Sequence, residues 1–128
     1  MQTPCPNTVF IVDDSAQIRS RLAEMVTAID GARLVGEAAC AREAIAGILR
    51  TRPRAVLLDL NLGGPTGLDV LRAIHARLPD TVFVVLSNHS EPQYRKACAA
   101  AGAAHFLDKS IDFACVPALL TRIAAGPH

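Results

Sequence analysis

Five short apolar runs recur along the chain, and each is too short to form a helix. They occupy residues 9–12, 33–38, 55–61, 81–86 and 104–107. Runs of this length that are rich in valine, isoleucine and leucine are typical of parallel strands buried on both faces. The second run contains a glycine and two charged residues, so we expect this weaker strand near an edge of the sheet.

Helical spacing of apolar residues fills the intervals between these runs. The predicted helices run from Ser15 to Asp30, from Arg42 to Arg50, from Leu68 to Leu78, from Glu91 to Ala101 and from Val116 to Ala125. A strand followed by a helix, repeated five times, predicts right-handed crossovers and an α/β fold. We expect a doubly wound, flavodoxin-like (βα)5 three-layer sandwich whose parallel five-stranded sheet has the order 2-1-3-4-5.

Polar residues follow four of the predicted strands. Asp13 and Asp14 follow the first strand, Asp59 follows the four apolar residues that begin the third, Ser87 follows the fourth and Lys109 follows the last. Open α/β sheets bind ligands at the carboxyl ends of their strands, next to the point where the strand order reverses. Each residue alone also fits a structural role, such as a helix cap or a surface charge. Together they favour a functional site.

Three carboxylates that converge at this edge need a counter-charge. At about 5 Å separation and an effective dielectric constant near 20, each pair would repel by roughly 3 kcal/mol. Oxygen ligands with room for water suit Mg²⁺, which is usually held by one or two carboxylates together with a phosphate oxygen. Lys109 and Ser87 would then supply a cation and a hydroxyl for a transferring phosphoryl group.

Composition limits the classes of function. A chain of 128 residues with 51% hydrophobic residues is enough for one domain, so we expect a single domain over 1–128 with its core at about 8–125 and no output domain. A net charge of +1 and no basic run argue against direct contact with nucleic acid or membrane. The amino end has no leader pattern, which favours a cytoplasmic protein. The four cysteines are scattered, without metal-binding or redox spacing.

With Asp13-Asp14, Asp59, Ser87 and Lys109 in this order, the chain resembles a bacterial two-component response regulator receiver domain of the single-domain, chemotaxis-regulator type. The resemblance implies that Asp59 is the phosphoacceptor and that Asp14, Asp13, Asp59 and the backbone carbonyl of Asn61 bind Mg²⁺. It also implies that Ser87 and Lys109 hold the phosphoryl group. The domain would be a signalling protein that takes its phosphoryl group from a histidine kinase or phosphotransfer protein, and not a true enzyme.

The same resemblance assigns a switch and a set of tuning positions. Ser87 and Phe106 would form the switch, which would alter the surface of the fourth helix, last strand and last helix for a downstream protein or for a phosphorylation-linked homodimer. Asn61, Asn88 and His89 would tune the lifetime of the phosphoryl group. Gly67 matches the glycine of the loop after the phosphorylated strand.

The chain departs from the family pattern at three positions. Ser110 stands where a proline, often cis, usually follows the lysine, and Gly63 replaces another common proline. Asn88 occupies a position that is usually small. These departures put the loop geometry after Lys109, and the access of water to the site, in question.

Three alternatives stay open at the level of sequence. The chain could be an adaptor that binds a protein without phosphorylation, or the receiver part of a longer DNA-binding regulator. A hydrolase that uses Asp59 as its nucleophile is disfavoured, because Asn61 stands where a second acid would act.

Overall fold

A computed structural model describes residues 7–62, 67–88 and 91–125 of the chain. The strands are β1 (Asn7–Val12), β2 (Ala32–Ala38), β3 (Ala55–Asp59), β4 (Val82–Ser87) and β5 (His105–Asp108). The helices are α1 (Ala16–Thr27), α2 (Ala41–Thr51), α3 (Gly67–Arg77), α4 (Pro92–Ala101) and α5 (Val116–Ala125), and a 3-10 turn at Phe113–Cys115 precedes α5.

The five strands form one parallel sheet in the order β2-β1-β3-β4-β5. This confirms the predicted doubly wound, flavodoxin-like α/β fold, including the placement of the second strand at an edge. The order reverses between β1 and β3, so the switch point lies where both of these strands end.

Alternation along the strands divides the core between the two faces of the sheet. Phe10, Val56 and Phe83 pack on the face that is covered by α2, α3 and α4. Ile11 and Leu57, one residue further along their strands, pack on the opposite face against α1 and α5. The strands β1, β3 and β4 are therefore buried on both sides, as their continuous apolar runs predict.

One predicted boundary was wrong by three residues. The helix α1 ends at Thr27 and not at Asp30, and Ala28 caps it by donating its N–H to the Glu24 carbonyl at 3.1 Å. A tight turn follows, in which Ala32 N–H donates to the Ile29 carbonyl at 3.1 Å and Gly31 has a φ of +84°. The chain needs these residues to reverse into β2, and the apolar spacing that continued to Ile29 does not reveal the turn.

Other predicted boundaries differ by one or two residues. The strand β1 begins earlier than predicted, at Asn7, whose side-chain Nδ2 donates to the Leu120 carbonyl at 3.0 Å. The strand β3 ends at Asp59, two residues before Asn61, and β4 includes Ser87. The functional side chains therefore lie on the last strand residues or immediately after them.

The aromatic ring of Phe10 fills the space between β2 and α2, because glycines face it on both elements. A Cβ atom added at Gly36 would lie 2.6 Å from Phe10 Cε2, and one added at Gly47 would lie 2.6 Å from Phe10 Cζ. This packing is remote from the carboxyl edge of β3. It therefore stabilises the sheet without contacting the residues of the predicted site.

Candidate functional site

Strand register brings the predicted residues to one edge of the sheet. Val12 pairs with Leu58, so Asp13 and Asp59 are the next residues on neighbouring strands. Asp59 pairs with Leu86 of β4, and Ser87 pairs with Asp108, the residue before Lys109. The parallel arrangement thus collects residues from four separate segments, as the sequence predicts.

The turn after β1 is held by hydrogen bonds that fix Asp13. Ser15 N–H donates to Asp13 Oδ1 at 2.9 Å, and the Ser15 hydroxyl caps α1 by accepting from Ile18 N–H at 3.2 Å. The guanidinium of Arg19 donates to the Asp13 carbonyl at 2.7 Å and lies 3.4 Å from Glu37. Asp13 is 1% exposed, whereas Asp14 is exposed to solvent.

Asp59 is held at the end of β3 through one of its two carboxylate oxygens. Asn61 N–H donates to Asp59 Oδ1 at 3.2 Å, and Lys109 Nζ lies 3.3 Å from the same oxygen. Within the described part of the chain, Oδ2 has no hydrogen-bond partner. The carboxylate is therefore oriented through Oδ1, which leaves Oδ2 for chemistry.

Gly67 allows α3 to start directly against the end of β3. Its N–H donates to the Leu60 carbonyl at 2.9 Å. A Cβ atom added at Gly67 would overlap the Asp59 carbonyl oxygen and would lie 2.8 Å from Leu60 Cα. The need for glycine here comes from this close approach of two backbones, and it supports the part assigned to Gly67 in the loop after β3.

Lys109 forms the electrostatic centre of the site. Its Nζ donates to Asp13 Oδ2 at 2.7 Å, in addition to its contact with Asp59. Burial opposes the charged ammonium, but the hydrogen bond to Asp13 and the negative charges of Asp59 and Asp13 outweigh it and raise the pKa of Lys109 above 10.5. Lys109 therefore stays protonated across the physiological range.

At Asp59, the effects that disfavour the charged form outweigh those that favour it. Burial raises the pKa of Asp59 above 3.8, and the negative charge of Asp13 adds to this effect. The ammonium of Lys109 and the N–H of Asn61 favour the ionised form but do not cancel the rise. The site therefore has more negative charge than its own cation neutralises.

The acidic residues fit a divalent cation. Asp13, Asp14 and Asp59 each offer a carboxylate oxygen, and these oxygens lie within 4.8 Å of one another. Carboxylate oxygens are the ligands that hard cations such as Mg²⁺ prefer, and the exposure of Asp14 leaves room for water ligands. Asn61 also lines the cleft, which is consistent with a ligand from its backbone carbonyl.

The loop after β5 is ordered by hydrogen bonds, although Ser110 stands where a proline is usual. Asp108 Oδ1 accepts hydrogen bonds from the Ser110 N–H at 2.8 Å and from the Ser110 hydroxyl at 2.5 Å. Asp112 Oδ2 in turn accepts from Asp108 N–H at 2.9 Å. A proline at position 110 would lack the donor N–H. The side chains of Asp108 and Asp112 thus organise this loop in its place.

A cleft of about 590 Å³ opens over these residues. The buried carboxylates of Asp13 and Asp59 and the partly buried Lys109 form its floor, and the exposed Asn61 and Asn88 also line it. The remaining lining residues come from the turn after β1, from α1 and from the segment between β5 and α5: Asp14, Ser15, Ile18, Arg21, Ser110 and Phe113. Asn88 is exposed, so it is placed to affect the access of water.

The two predicted switch residues lie on neighbouring strands, Ser87 at the end of β4 and Phe106 on β5. Ser87 is 1% exposed, and its carbonyl accepts from Lys109 N–H at 2.9 Å. Phe106 packs partly buried against the core on the side of α4, with the guanidinium carbon of Arg95 at 4.7 Å from its ring centroid. Phe106 therefore lies on the central strand of the α4-β5-α5 surface, and Ser87 lies on the strand next to it.

Some expectations fall on residues that are not described. His89, predicted as a tuning residue, and the departure at Gly63 lie outside the described residues, as does Cys5. The other three cysteines, Cys40, Cys98 and Cys115, are free thiols. No helix in residues 7–62, 67–88 or 91–125 is long and apolar enough to cross a membrane.

Sequence reasoning missed four residues that shape the site. Arg19 holds the Asp13 turn, Asp112 holds the loop after β5, and Arg21 and Phe113 line the cleft. All four lie one turn or more from the strand ends where a site is expected. A weak signal was available only for Arg19, which follows Asp13 by six positions and so faces it from the second turn of α1.

Comparison with known proteins gives a consistent result. A family model for the response regulator receiver domain matches residues 9–121. The response regulator GacA of Pseudomonas aeruginosa is 27% identical over 118 residues, which are 92% of this chain and 55% of that protein. UvrY of Escherichia coli is 31% identical over 101 residues, which are 79% of this chain and 46% of that protein. The DNA-binding transcriptional activator DevR/DosR of Mycobacterium tuberculosis is 30% identical over 103 residues, which are 80% and 48% of the two chains.

Solved structures of similar fold come from the same kind of protein. A LuxR-family response regulator from Aurantimonas has a TM-score of 0.87 at 28% identity, covering 96% of this chain and 88% of that one. The receiver domain of NarL from Mycobacterium tuberculosis has a TM-score of 0.87 at 26% identity, covering 97% and 100%. A CheX-CheY-BeF3-Mg²⁺ complex from Borrelia burgdorferi has a TM-score of 0.85 at 25% identity, covering 95% and 91%.

Proposed function

The chain belongs to the response regulator receiver domain family of two-component systems, and on that premise we propose that it accepts a phosphoryl group on Asp59. Receiver domains are signalling domains and not classical enzymes. The single observation that carries the proposal is the contact of Lys109 Nζ with both Asp13 and Asp59, at 2.7 and 3.3 Å, at the edge where the strand order reverses.

The environment of Asp59 suits a nucleophile. Its Oδ1 is held by Asn61 N–H and Lys109, so Oδ2 would attack the phosphorus atom. A new P–O bond forms to Oδ2 while the bond from phosphorus to the leaving group breaks and its electron pair departs with that group. Lys109 would then pair with an oxygen of the transferred phosphoryl group, and the Ser87 hydroxyl with another.

Asp13, Asp14 and Asp59, with the backbone carbonyl of Asn61, would hold Mg²⁺. When bound, Mg²⁺ supplies positive charge beside the phosphoryl oxygens. Burial, and to a smaller extent the negative charge of Asp13, raises the pKa of Asp59, so a cation beside these carboxylates would favour the ionised form. Asp14 is exposed and can reorient toward the ion at little structural cost.

The phosphoryl group would come from a histidine kinase or a phosphotransfer protein. Ser87 and Phe106 would then transmit the change to the surface formed by α4, β5 and α5, where a downstream protein binds. The position of Phe106 beneath Arg95 supports this role, because the ring joins the core to an exposed residue of α4.

Intact mass after incubation with Mg²⁺ and acetyl phosphate tests this function. We expect a metal-dependent gain of one phosphoryl group that is absent in Asp59→Asn. A matched control is Asp80→Asn, since Asp80 is an exposed aspartate just before β4, at the amino ends of the strands. This variant should be phosphorylated like the wild type. No gain from acetyl phosphate or from a histidine kinase would contradict the proposal and favour the phosphorylation-independent adaptor.

The relatives favour a second candidate for the output. The chain spans about half the length of the curated relatives it matches, and one of these is a DNA-binding transcriptional activator. The receiver would then control a DNA-binding part by phosphorylation-linked dimerisation. Sedimentation velocity with and without Mg²⁺ and acetyl phosphate distinguishes the candidates, because a purely monomeric phosphorylated chain would argue against this route.

A further inference from the structure

Three residues that line the cleft have a chemical character that phosphoryl binding does not explain. They are Ile18, Arg21 and Phe113, which we call the outer wall. Arg21 comes from α1, and its guanidinium carbon lies 4.5 Å from the ring centroid of Phe113. The outer wall therefore presents two apolar side chains and one cation that is seated on an aromatic ring.

Within the described part of the chain, Arg21 differs from the other cations near the cleft in having no anionic partner. Lys109 is bound to Asp13 and Asp59, and Arg19 is bound to the Asp13 carbonyl and Glu37. Across residues 7–62, 67–88 and 91–125, Arg21 makes no ion pair. The ring of Phe113 holds the guanidinium in place but leaves its N–H groups able to donate to an anion.

In-line phosphoryl transfer determines which part of a donor meets this wall. The attacking and leaving atoms lie on opposite sides of the phosphorus atom. Asp59 attacks from the buried floor, so the leaving group must extend toward the mouth of the cleft. Among the described residues that line the cleft, the cations are Lys109 and Arg21. Lys109 is bound to Asp13 and Asp59, and the exposed anion Asp14 is a proposed Mg²⁺ ligand, so Arg21 is the cation that can meet a departing anion.

We propose that Arg21, seated on Phe113, binds the carboxylate leaving group of acyl phosphate donors and so determines which small phosphodonors the domain uses. This inference rests on the proposed phosphorylation of Asp59. In the step, Asp59 Oδ2 bonds to phosphorus, the bond from phosphorus to the acyl oxygen breaks, and its electron pair stays on that oxygen as carboxylate. Arg21 pairs with the negative charge that develops there, and the apolar side chains contact the acyl group.

A donor without a carboxylate provides the contrast. In phosphoramidate at neutral pH the nitrogen already carries three protons, so when the bond from phosphorus to nitrogen breaks, its electron pair stays on nitrogen and the group leaves as neutral ammonia. Arg21 then has no anion to bind at the outer wall. Loss of Arg21 should therefore slow phosphorylation by acetyl phosphate selectively, whereas a contact of Arg21 with the phosphoryl oxygens, which both donors carry, would slow phosphorylation by both.

The test compares the second-order rate constants for phosphorylation by acetyl phosphate and by phosphoramidate. Intact mass measures the phosphorylated fraction over time, at constant Mg²⁺ concentration and ionic strength. For Arg21→Gln we expect a roughly two- to fivefold loss with acetyl phosphate, the range for an exposed ion pair, and little change with phosphoramidate. Arg21→Lys should recover part of the loss because it keeps the charge. Phe113→Leu should produce a smaller selective loss, because it removes the aromatic ring against which the Arg21 guanidinium packs.

Arg33→Gln is the control for loss of one positive charge. Arg33 is exposed near the start of β2, at the amino ends of the strands and therefore across the sheet from the cleft. This variant should leave both rates unchanged. Equal losses with both donors in Arg21→Gln, or no loss with either, would overturn the assignment to the leaving group while the phosphorylation of Asp59 stands. Failure of the wild type to gain a phosphoryl group from either donor would instead overturn the proposed function, and this inference with it.

Discussion

The ammonium of Lys109 donates to the carboxylate of Asp13 at 2.7 Å, and these two residues are 96 positions apart in the sequence. The same ammonium lies 3.3 Å from Asp59, so in this structure it is closer to Asp13 than to the proposed phosphoacceptor. One cation thus joins the ends of β1, β3 and β5. Four expected outcomes follow from this arrangement and from the packing around it.

Replacing Lys109 by methionine should destabilise the fold, because Asp13 and Asp59 would keep their buried charges without a counter-charge. We expect a loss of about 2 kcal/mol in the free energy of unfolding, less than for a fully buried pair because the cleft is open. The pKa of folded Lys109 lies above 10.5, so this loss is complete below pH 10.5 and shrinks as the pH rises through the folded pKa. Urea unfolding at pH 7 measures it, and equal stabilities there would contradict the expectation.

Replacing Asp59 by asparagine should have the opposite effect in the absence of Mg²⁺. The folded pKa of Asp59 is raised above 3.8, so its ionisation lowers stability as the pH rises through that folded value. The variant cannot ionise, and it should be more stable than the wild type at pH 7 by on the order of 1 kcal/mol. Thermal unfolding between pH 3.5 and 8 should show the two curves separating with rising pH, and curves that stay parallel would exclude this cause.

Addition of Mg²⁺ should stabilise the wild type. At ten times its Kd, a ligand that binds only the folded state adds about 1.4 kcal/mol to the free energy of unfolding. Removal with EDTA should reverse the gain. The exposed Asp14 can be changed to asparagine without a packing cost, so Asp14→Asn should fold normally but need a higher Mg²⁺ concentration for the same shift. An unchanged dependence on Mg²⁺ in Asp14→Asn would remove Asp14 from the proposed ligands.

Replacing Gly67 by alanine should damage the site as well as the fold. The added Cβ would meet the backbone of Asp59 and Leu60, so either α3 or the end of β3 must move, at a cost of about 1–3 kcal/mol. Gly36→Ala is a matched control, because its Cβ would meet the Phe10 ring, which lies away from the cleft. Both variants should lose stability in urea, but only Gly67→Ala should also slow phosphorylation by acetyl phosphate.

The pattern of the sequence was sufficient for the fold because the apolar runs of β1, β3 and β4 are both strands and core elements. The run at 55–58 predicts a strand buried on both faces, and its residues pack alternately into the two core clusters. Asp13, Asp59, Ser87 and Lys109 were found from their positions after such runs. The end of α1 was not found, because apolar spacing continues through Ile29 and only the hydrogen-bonded turn before β2 ends the helix.

By itself, the sequence determined that five parallel strands alternate with helices and that the acidic residues, Ser87 and Lys109 gather at the carboxyl ends of those strands. The carboxyl ends of parallel strands lie at the same edge of the sheet, so polar residues that follow the strands gather at that edge. Only the tertiary structure decided how they interact: that Lys109 lies closer to Asp13 than to Asp59, that Arg19 holds the Asp13 turn, and that Arg21 is seated on Phe113 at the cleft. These contacts join residues of separate elements at distances of a few ångströms. They depend on side-chain directions and on packing between elements, which no spacing along the chain records.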